Sequence, residues 1–146
     1  MKKTVIPVLG FLSIFFLSCN AGPEPLQIGK DNCHTCKMTI MDPKFGAELI
    51  TDKGKIYKFD DVICLQHFIK SGEVKQDNIR HQLVINFEKE NEFLDISQAV
   101  FLVSPGIKSP MGSQAAAFST REAAEKYNST LQGELLSWKE LSGKLQ

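Results

Sequence analysis

The sequence has no excess of charge of either sign, because 17 lysine and arginine residues balance 17 aspartate and glutamate residues over 146 positions. No basic patch is visible, so nucleic acid is not an expected partner. No apolar run reaches the ~20 residues that a membrane-spanning helix needs. No paired catalytic carboxylates and no nucleophile with a base stand out as a motif, so we do not expect an enzyme. What the sequence does contain is an export signal and a group of sulfur side chains.

Residues 1–18 are typical of a lipoprotein signal peptide. Two lysines precede an apolar run from Val5 to Leu17, which ends in FLSC. A positive start, an apolar centre and a small residue before a cleavage point define an export signal. We predict cleavage before Cys19 and lipid on its sulfur; an ordinary signal peptide is the alternative. Diacyl anchoring would hold the protein on a membrane. No acidic run follows Cys19, which favours the periplasmic side.

The segment after the cysteine, residues 19–30, is rich in proline, glycine and polar residues, which is typical of a tether. Downstream, two apolar runs flank DKG and predict a hairpin of Ala47–Thr51 and Lys55–Phe59. A helix should follow, with Asp60 as N-cap and Gly72 at its end. The stretch HQLVINFEK then predicts a strand.

The second half repeats this plan. QAVFLVS and QAAAFS predict strands, and a helix follows with Ser119 as N-cap and Glu122 in a capping box. LQGELL predicts a last strand, and the tail predicts a short amphipathic helix that packs on the core. Phe59 then aligns with Phe118, and Asp60 with Ser119. We therefore predict an α+β fold of two similar ββαβ modules in tandem, residues 31–90 and 91–146.

The stretch DNCHTCKMTIMD, residues 31–42, concentrates the sulfur chemistry. Haem attachment would need a histidine where Lys37 stands. A thioredoxin-like redox pair needs a helix after the second cysteine, and Pro43 interrupts the chain too soon. A disulfide between Cys33 and Cys36 would close a very small loop, which adds little stability. A thiol oxidoreductase using these two cysteines remains an alternative.

A zinc-stabilised binding module is the other alternative. Cys33 and Cys36 with Cys64 and His67 would give a C-x-x-C and a C-x-x-H, which suit a tetrahedral site. The repeat argues against this set of zinc ligands, because Cys64 aligns with the small residue Ala123. Cys64 in the core and His67 on the surface explain the pattern equally well.

Soft-metal binding accounts for the methionines. Thiolate and thioether sulfurs together select Cu(I). In an extended chain Cys36 and Met38 face the same side, and His34 lies there too. Met111 stands in the overlong loop SPGIKSPMGSQ, where no core is expected.

The stretches HTCKM, FGAELIT, YKFDD and SPMGSQAAAF together resemble the NosL family, from about Asp31 to Trp138. The resemblance implies a membrane-anchored lipoprotein of two ββαβ modules that binds Cu(I). It would deliver copper, with a dedicated membrane transporter complex, to maturing nitrous-oxide reductase, an enzyme of denitrification.

The family's H-x-C-x-M pattern falls on His34, Cys36 and Met38, and its S-P-M-G pattern makes Met111 a further ligand. Cys33 is an extra cysteine that could be a ligand, a disulfide partner of Cys36, or neither. For one copper ion to contact both halves, the long loop must fold back towards Met38. We therefore expect a shallow, accessible site where the two modules meet.

Overall fold

The computed structural model describes residues 22–145; the predicted signal peptide and Cys19 lie outside the described residues. The secondary structure elements, in chain order, are β1 Ala47–Thr51, β2 Ile56–Phe59, α1 Val62–Ser71, the 3-10 turn Gln76–Asn78, β3 Ile79–Ile85, β4 Phe93–Asp95, β5 Val100–Val103, β6 Ala115–Phe118, α2 Arg121–Leu131, β7 Glu134–Leu136 and α3 Trp138–Lys144. None of the helices in this part of the chain is long and apolar enough to span a membrane.

The strands form two antiparallel sheets, in the orders β2-β1-β3-β4 and β6-β5-β7. Helices and antiparallel sheets together make the chain α+β, as the sequence predicted. Strand β4 was not predicted, because it has only three residues and follows a polar run. The hairpin β1–β2 is short, whereas β5 and β6 are joined by the long loop of residues 104–114.

Both N-cap predictions were wrong by one residue. Asp61, not Asp60, caps α1: its backbone is extended and its carboxylate accepts from the Ile63 N–H. Thr120, not Ser119, caps α2 and accepts from the Ala123 N–H, so the predicted capping box is absent. The side-chain oxygen of an N-cap residue accepts a hydrogen bond from the second or third N–H of the helix. A side chain one position earlier in the chain does not reach these N–H groups. The shift leaves Asp60 free to take another role.

The second sheet uses its two faces differently. Phe101 and Ala117 join the main core, which also contains Leu49, Leu65 and Val84 of the first sheet and its helix. Successive residues of a strand alternate between the two faces of the sheet. The residues of the opposite face pack under α2; they are Leu102, Ala116 and Phe118. The main core therefore binds the two sheets to each other.

The two ends of the described chain also pack on this core. Leu26, in the segment predicted as a tether, is buried, and its N–H donates to Asn91 Oδ1 at 2.8 Å. Helix α3 starts with a capping box between Ser137 and Glu140 and buries Leu141. Its packing agrees with the amphipathic pattern of the tail.

Candidate metal site

The cysteine-rich segment is a tight turn closed by its backbone. The Cys33 N–H donates to the Met38 carbonyl at 2.8 Å, and the Lys37 N–H donates to the Cys33 carbonyl at 3.0 Å. Lys37 has φ 66°, a left-handed conformation that is uncommon outside glycine. The extended chain predicted for this segment is therefore wrong, and alternation no longer places Cys36 and Met38 on one side. No helix begins at Cys36.

Two further contacts hold this turn against β2 and the start of α1. The Thr35 hydroxyl donates to the Cys64 carbonyl at 2.8 Å, and the His34 N–H donates to the Lys58 carbonyl at 2.8 Å. Cys64 is the third residue of α1, so its thiol lies in the first helical turn. These contacts bring the turn and the helix start into one site.

At this contact three thiols and a carboxylate meet. One potential ligand atom from each of four side chains lies within 4.8 Å of the other three; the four are Cys33, Cys36, Asp60 and Cys64. Cys33, Asp60 and Cys64 are buried, while Cys36 is partly exposed. All three described cysteines are free thiols. Such a set of donors could hold a metal ion.

The thiols interact strongly with one another. A hydrogen bond from the Cys64 thiol, helped by the backbone N–H groups of Cys36 and Asp60, lowers the pKa of Cys33 to about 6 despite its burial. The same hydrogen bond, together with burial, raises the pKa of Cys64. Burial raises the pKa of Cys36 to about 11. The Cys33 thiol is therefore the most acidic of the three.

Asp60 contributes an oxygen that lacks a partner. Its Oδ2 accepts from the Cys36 thiol at 3.5 Å, but its Oδ1 is buried without any hydrogen-bond partner among the described residues. A buried polar atom left unpaired costs about 1–3 kcal/mol. One carboxylate oxygen of Asp60 lies within 4.8 Å of the three sulfurs, so a cation bound there could also take an oxygen ligand.

The predicted methionine ligands lie at the surface. Met38 is 49% exposed and Met111 is 39% exposed; Met41, which the sequence did not assign to the site, is 68% exposed. The loop that carries Met111 folds back onto the first helix, because the Met111 N–H donates to Asp61 Oδ2 at 3.0 Å. The long loop thus reaches the residue next to Asp60.

His34 has other partners. Its Nε2 lies 3.2 Å from Glu73 Oε1, and its ring contacts Tyr57 and Phe68 edge-on, with centroids 4.7 and 5.1 Å away. The structure therefore brings Cys33 and Cys36 together, while His34 stands beside them in an aromatic setting.

Sequence reasoning left two members of the cluster out of the favoured site. Cys64 was considered only for the zinc alternative or the core, and Asp60 only as a cap. The spacing C-x-x-C followed by C-x-x-H was a signal for Cys64, but His67 lies on the exposed side of α1 and outside the cluster. No pattern in the sequence singled out Asp60.

Fold and site together define an α+β protein with a cysteine-rich centre that could bind a metal. The NosL family profile matches residues 25–145, so the chain belongs to the NosL family. The copper chaperone NosL from Shewanella denitrificans has a similar crystal structure, with a TM-score of 0.63 and 20% identity. The match covers 82% of this chain and 95% of that one, and at this identity it shows the fold alone. The search of curated proteins gave no match.

Proposed function

We propose that the protein is a Cu(I)-binding chaperone and not an enzyme. The observation that carries the proposal is that the partly exposed Cys36 thiol lies in the same turn as the exposed Met38 and donates to Asp60. The loop with the exposed Met111 donates to Asp61, the next residue along the chain. Thiolate and thioether sulfurs in combination select Cu(I). Thioethers carry no ionisable proton and form no disulfides, so they remain ligands when thiols are protonated or oxidised to disulfides.

In this proposal Cu(I) is the cargo, bound by Cys36, Met38 and Met111. Copper binding requires the Cys36 thiol to lose its proton, which links affinity to pH. The Met111 loop supplies its sulfur from the other half of the chain, held in place by the hydrogen bond to Asp61. Cys33 and His34 adjoin the position and complete the predicted set. Exposed ligands permit exchange with a partner protein, which a chaperone needs.

We further propose that the chaperone is a lipoprotein anchored through Cys19 on the periplasmic side. There it would pass copper, with a membrane transporter complex, to nitrous-oxide reductase. Family membership and the N-terminal signal pattern support this role. The orders β2-β1-β3 and β6-β5-β7 support a duplicated ββαβ module, which gives one cargo site between two related halves.

Titration of the full, reduced chain with Cu(I) against a chromophoric chelator tests the site. We expect Met38→Ala and Met111→Ala each to weaken Cu(I) binding at least about tenfold, which corresponds to about 1.4 kcal/mol. Met41→Ala is the matched control, since this methionine is the most exposed of the three and lies outside the set. Unchanged affinity in Met111→Ala would refute a site shared between loop and turn.

Delivery needs a separate test in cells that make nitrous-oxide reductase. Cys19→Ala should release the chaperone from the membrane fraction and lower the copper content of the reductase. Met111→Ala should lower the copper content while the chaperone stays with the membrane. A fully loaded reductase in both variants would refute the delivery role without touching Cu(I) binding itself.

A further inference from the structure

We propose that an aromatic groove between α2 and the long loop of residues 104–114 is a docking surface for a membrane of anionic phospholipid. The groove has a volume of about 580 Å³. Its apolar lining comes from the segments before β1 and after β3, from the long loop and from α2; the residues are Phe45, Phe87, Ile107, Tyr127 and Leu131. None of the residues proposed to bind copper lines this groove.

Three aromatic rings follow one another along the groove. The Phe87 ring lies between those of Phe45 and Tyr127, with centroids 5.5 Å away in both cases and an edge-on arrangement. Each of the three rings is only partly buried, although all of them pack against the core under α2. An exposed apolar surface of this kind marks a site of interaction with a partner or a membrane.

Three lysines surround these rings. The Lys44 Nζ lies 5.1 Å from the centroid of the Phe87 ring, and Lys108 and Lys126 line the groove directly. Within residues 22–145 none of the three ammonium groups forms an ion pair with a carboxylate. The Lys108 Nζ donates to the carbonyl of Pro105 at 3.0 Å, which is a neutral partner. The positive charge around the groove is therefore not neutralised by the fold.

A second groove, beside Tyr57, provides the comparison. Its lining combines three lysines with two carboxylates; they are Lys53, Lys55, Lys75, Asp52 and Glu73. In the groove under α2, no described residue of the lining carries a carboxylate. Charge complementarity therefore requires an anionic occupant for the groove under α2 and makes no such demand beside Tyr57.

An anionic phospholipid satisfies both the rings and the lysines. Apolar and aromatic side chains rimmed by lysines are the composition of protein surfaces that rest in a membrane interface. Lysine stems lie along apolar surface while their ammonium groups stay in water, where headgroup phosphates are found. The acyl chains would then contact the rings, and the phosphates would contact the lysines.

The start of the described chain lies at the same edge of the fold. Leu26 occupies the space that a side chain at Gly46 would take, and Gly46 follows Phe45 of the groove. Cys19 stands seven residues before Leu26, a distance of at most about 25 Å along an extended chain. A lipid on Cys19 would therefore keep the groove within reach of the membrane. This step rests on the proposed lipid anchor, whereas the groove and its charge do not.

Docking would orient the anchored protein and would not replace the anchor, because interfacial contacts of this kind are reversible. Ile107 and Lys108 belong to the loop that also carries Met111. Docking through the groove would thus place the copper loop beside the membrane.

The test uses the chain from Asn20 to Gln146, which lacks the predicted signal peptide and lipidation site. Both described cores consist of residues 26–145, so this chain keeps the fold. Binding is measured by co-sedimentation with vesicles of equimolar phosphatidylglycerol and phosphatidylcholine, and with vesicles of phosphatidylcholine alone. We expect the anionic vesicles to bind at least about tenfold more tightly at low salt, because each lysine near an anionic surface strengthens binding roughly fivefold. High salt should reduce this difference.

Two triple variants with the same net charge locate the binding surface. Lys44→Gln, Lys108→Gln and Lys126→Gln together should weaken binding to the anionic vesicles about 100-fold, which is roughly fivefold for each lysine. Lys53→Gln, Lys55→Gln and Lys75→Gln together remove the same charge from the groove beside Tyr57 and should bind as the wild type does. Far-UV circular dichroism checks that both variants fold.

A tryptophan in the groove reports on contact with acyl chains. The double variant Tyr127→Trp and Trp138→Phe should show a blue shift, and brominated acyl chains in the phosphatidylglycerol should quench most of its emission. In the unchanged chain, Trp138 packs against Phe101 in the main core and should keep its emission. Phe45→Trp with Trp138→Phe is the second variant with the same expectation, should Tyr127→Trp not fold.

The alternatives give different outcomes. Absent binding to anionic vesicles, equal weakening in the two triple variants, or an unquenched groove tryptophan would overturn the proposal. A blue shift that grows with protein concentration in the absence of vesicles would assign the groove to a second copy of the chain. A blue shift with a glutamate–leucine copolymer and none with vesicles would assign it to an acidic protein segment. Because the tested chain lacks Cys19, a failed lipid anchor leaves these results unchanged.

Discussion

The carboxylate of Asp61 connects the two halves of the chain, so its removal should have two effects at once. One oxygen accepts from the Ile63 N–H at 3.1 Å and caps α1. The other accepts from the Met111 N–H at 3.0 Å and lies 3.5 Å from the Ser113 N–H. Asp61→Ala therefore removes a helix cap and also the anchor of the long loop.

The magnitude follows from these contacts. Loss of an N-cap costs about 1 kcal/mol. Loss of a hydrogen bond to a charged group costs about 1.5–3 kcal/mol. We therefore expect Asp61→Ala to lower the free energy of unfolding by about 2.5–4 kcal/mol. The matched variant is Thr120→Ala, which removes the cap of α2 alone and should cost about 1 kcal/mol.

Urea unfolding of both variants, followed by the fluorescence of the single tryptophan, measures this difference. Trp138 packs against Phe101 with ring centroids 5.9 Å apart, so its emission reports on the core. Reductant and a chelator keep metal binding out of the measurement. Asp61→Ala should also weaken Cu(I) binding, whereas Thr120→Ala should not. Equal destabilisation by the two variants, or wild-type Cu(I) affinity in Asp61→Ala, would show that the loop is not anchored by this carboxylate.

Two further predictions concern the scaffold. Burial in β1 raises the pKa of Glu48 from 4.5 to about 7, so the native state binds this proton more tightly than the unfolded chain. The contribution of Glu48 to stability is full below pH 4.5 and is lost as the pH rises to about 7. In Glu48→Gln, the decline of the urea midpoint across this pH range should be flatter than in the wild type. An unchanged pH profile would contradict the role of Glu48. Gly133→Ala would place a Cβ 2.2 Å from the Val103 carbonyl and should lower the unfolding free energy by about 1–3 kcal/mol. The Cβ of Gly143→Ala in α3 would meet no atom within 4 Å, so this variant should raise the unfolding free energy by about 0.5–1 kcal/mol. Thermal melts that do not rank Gly143→Ala above Gly133→Ala in stability would refute the close contact at Gly133.

Much of the fold was predictable because its signals are local. The hairpin was placed at Ala47–Thr51 and Lys55–Phe59, and the structure has Ala47–Thr51 and Ile56–Phe59. Gly72 ends α1 in a left-handed conformation, as predicted. The N-cap prediction for α1 failed because Asp60 and Asp61 are both good capping residues. Only the backbone conformation decides which of them accepts the helix N–H.

The site was less predictable because it depends on tertiary contacts. Cys64 is buried, as the repeat suggested, but its neighbours are Cys33 and Cys36 instead of apolar side chains alone. The wrong extended prediction for the turn had the same origin. Lys37 adopts a positive φ, which is common for glycine but is not predicted from a lysine in the sequence.

The start of α2 shows what the turn adds to the start of α1. Both helices follow a strand that ends in phenylalanine, with two residues between, and both begin after a capping oxygen. At α2 the residue matching Cys64 is Ala123, which packs with an aromatic cluster and offers no ligand. A helix start alone therefore supplies dipole and cap but no metal chemistry. The chemistry arises only where the turn of residues 33–38 brings two more thiols to it, which is why sequence patterns within either segment could not reveal the four-ligand set.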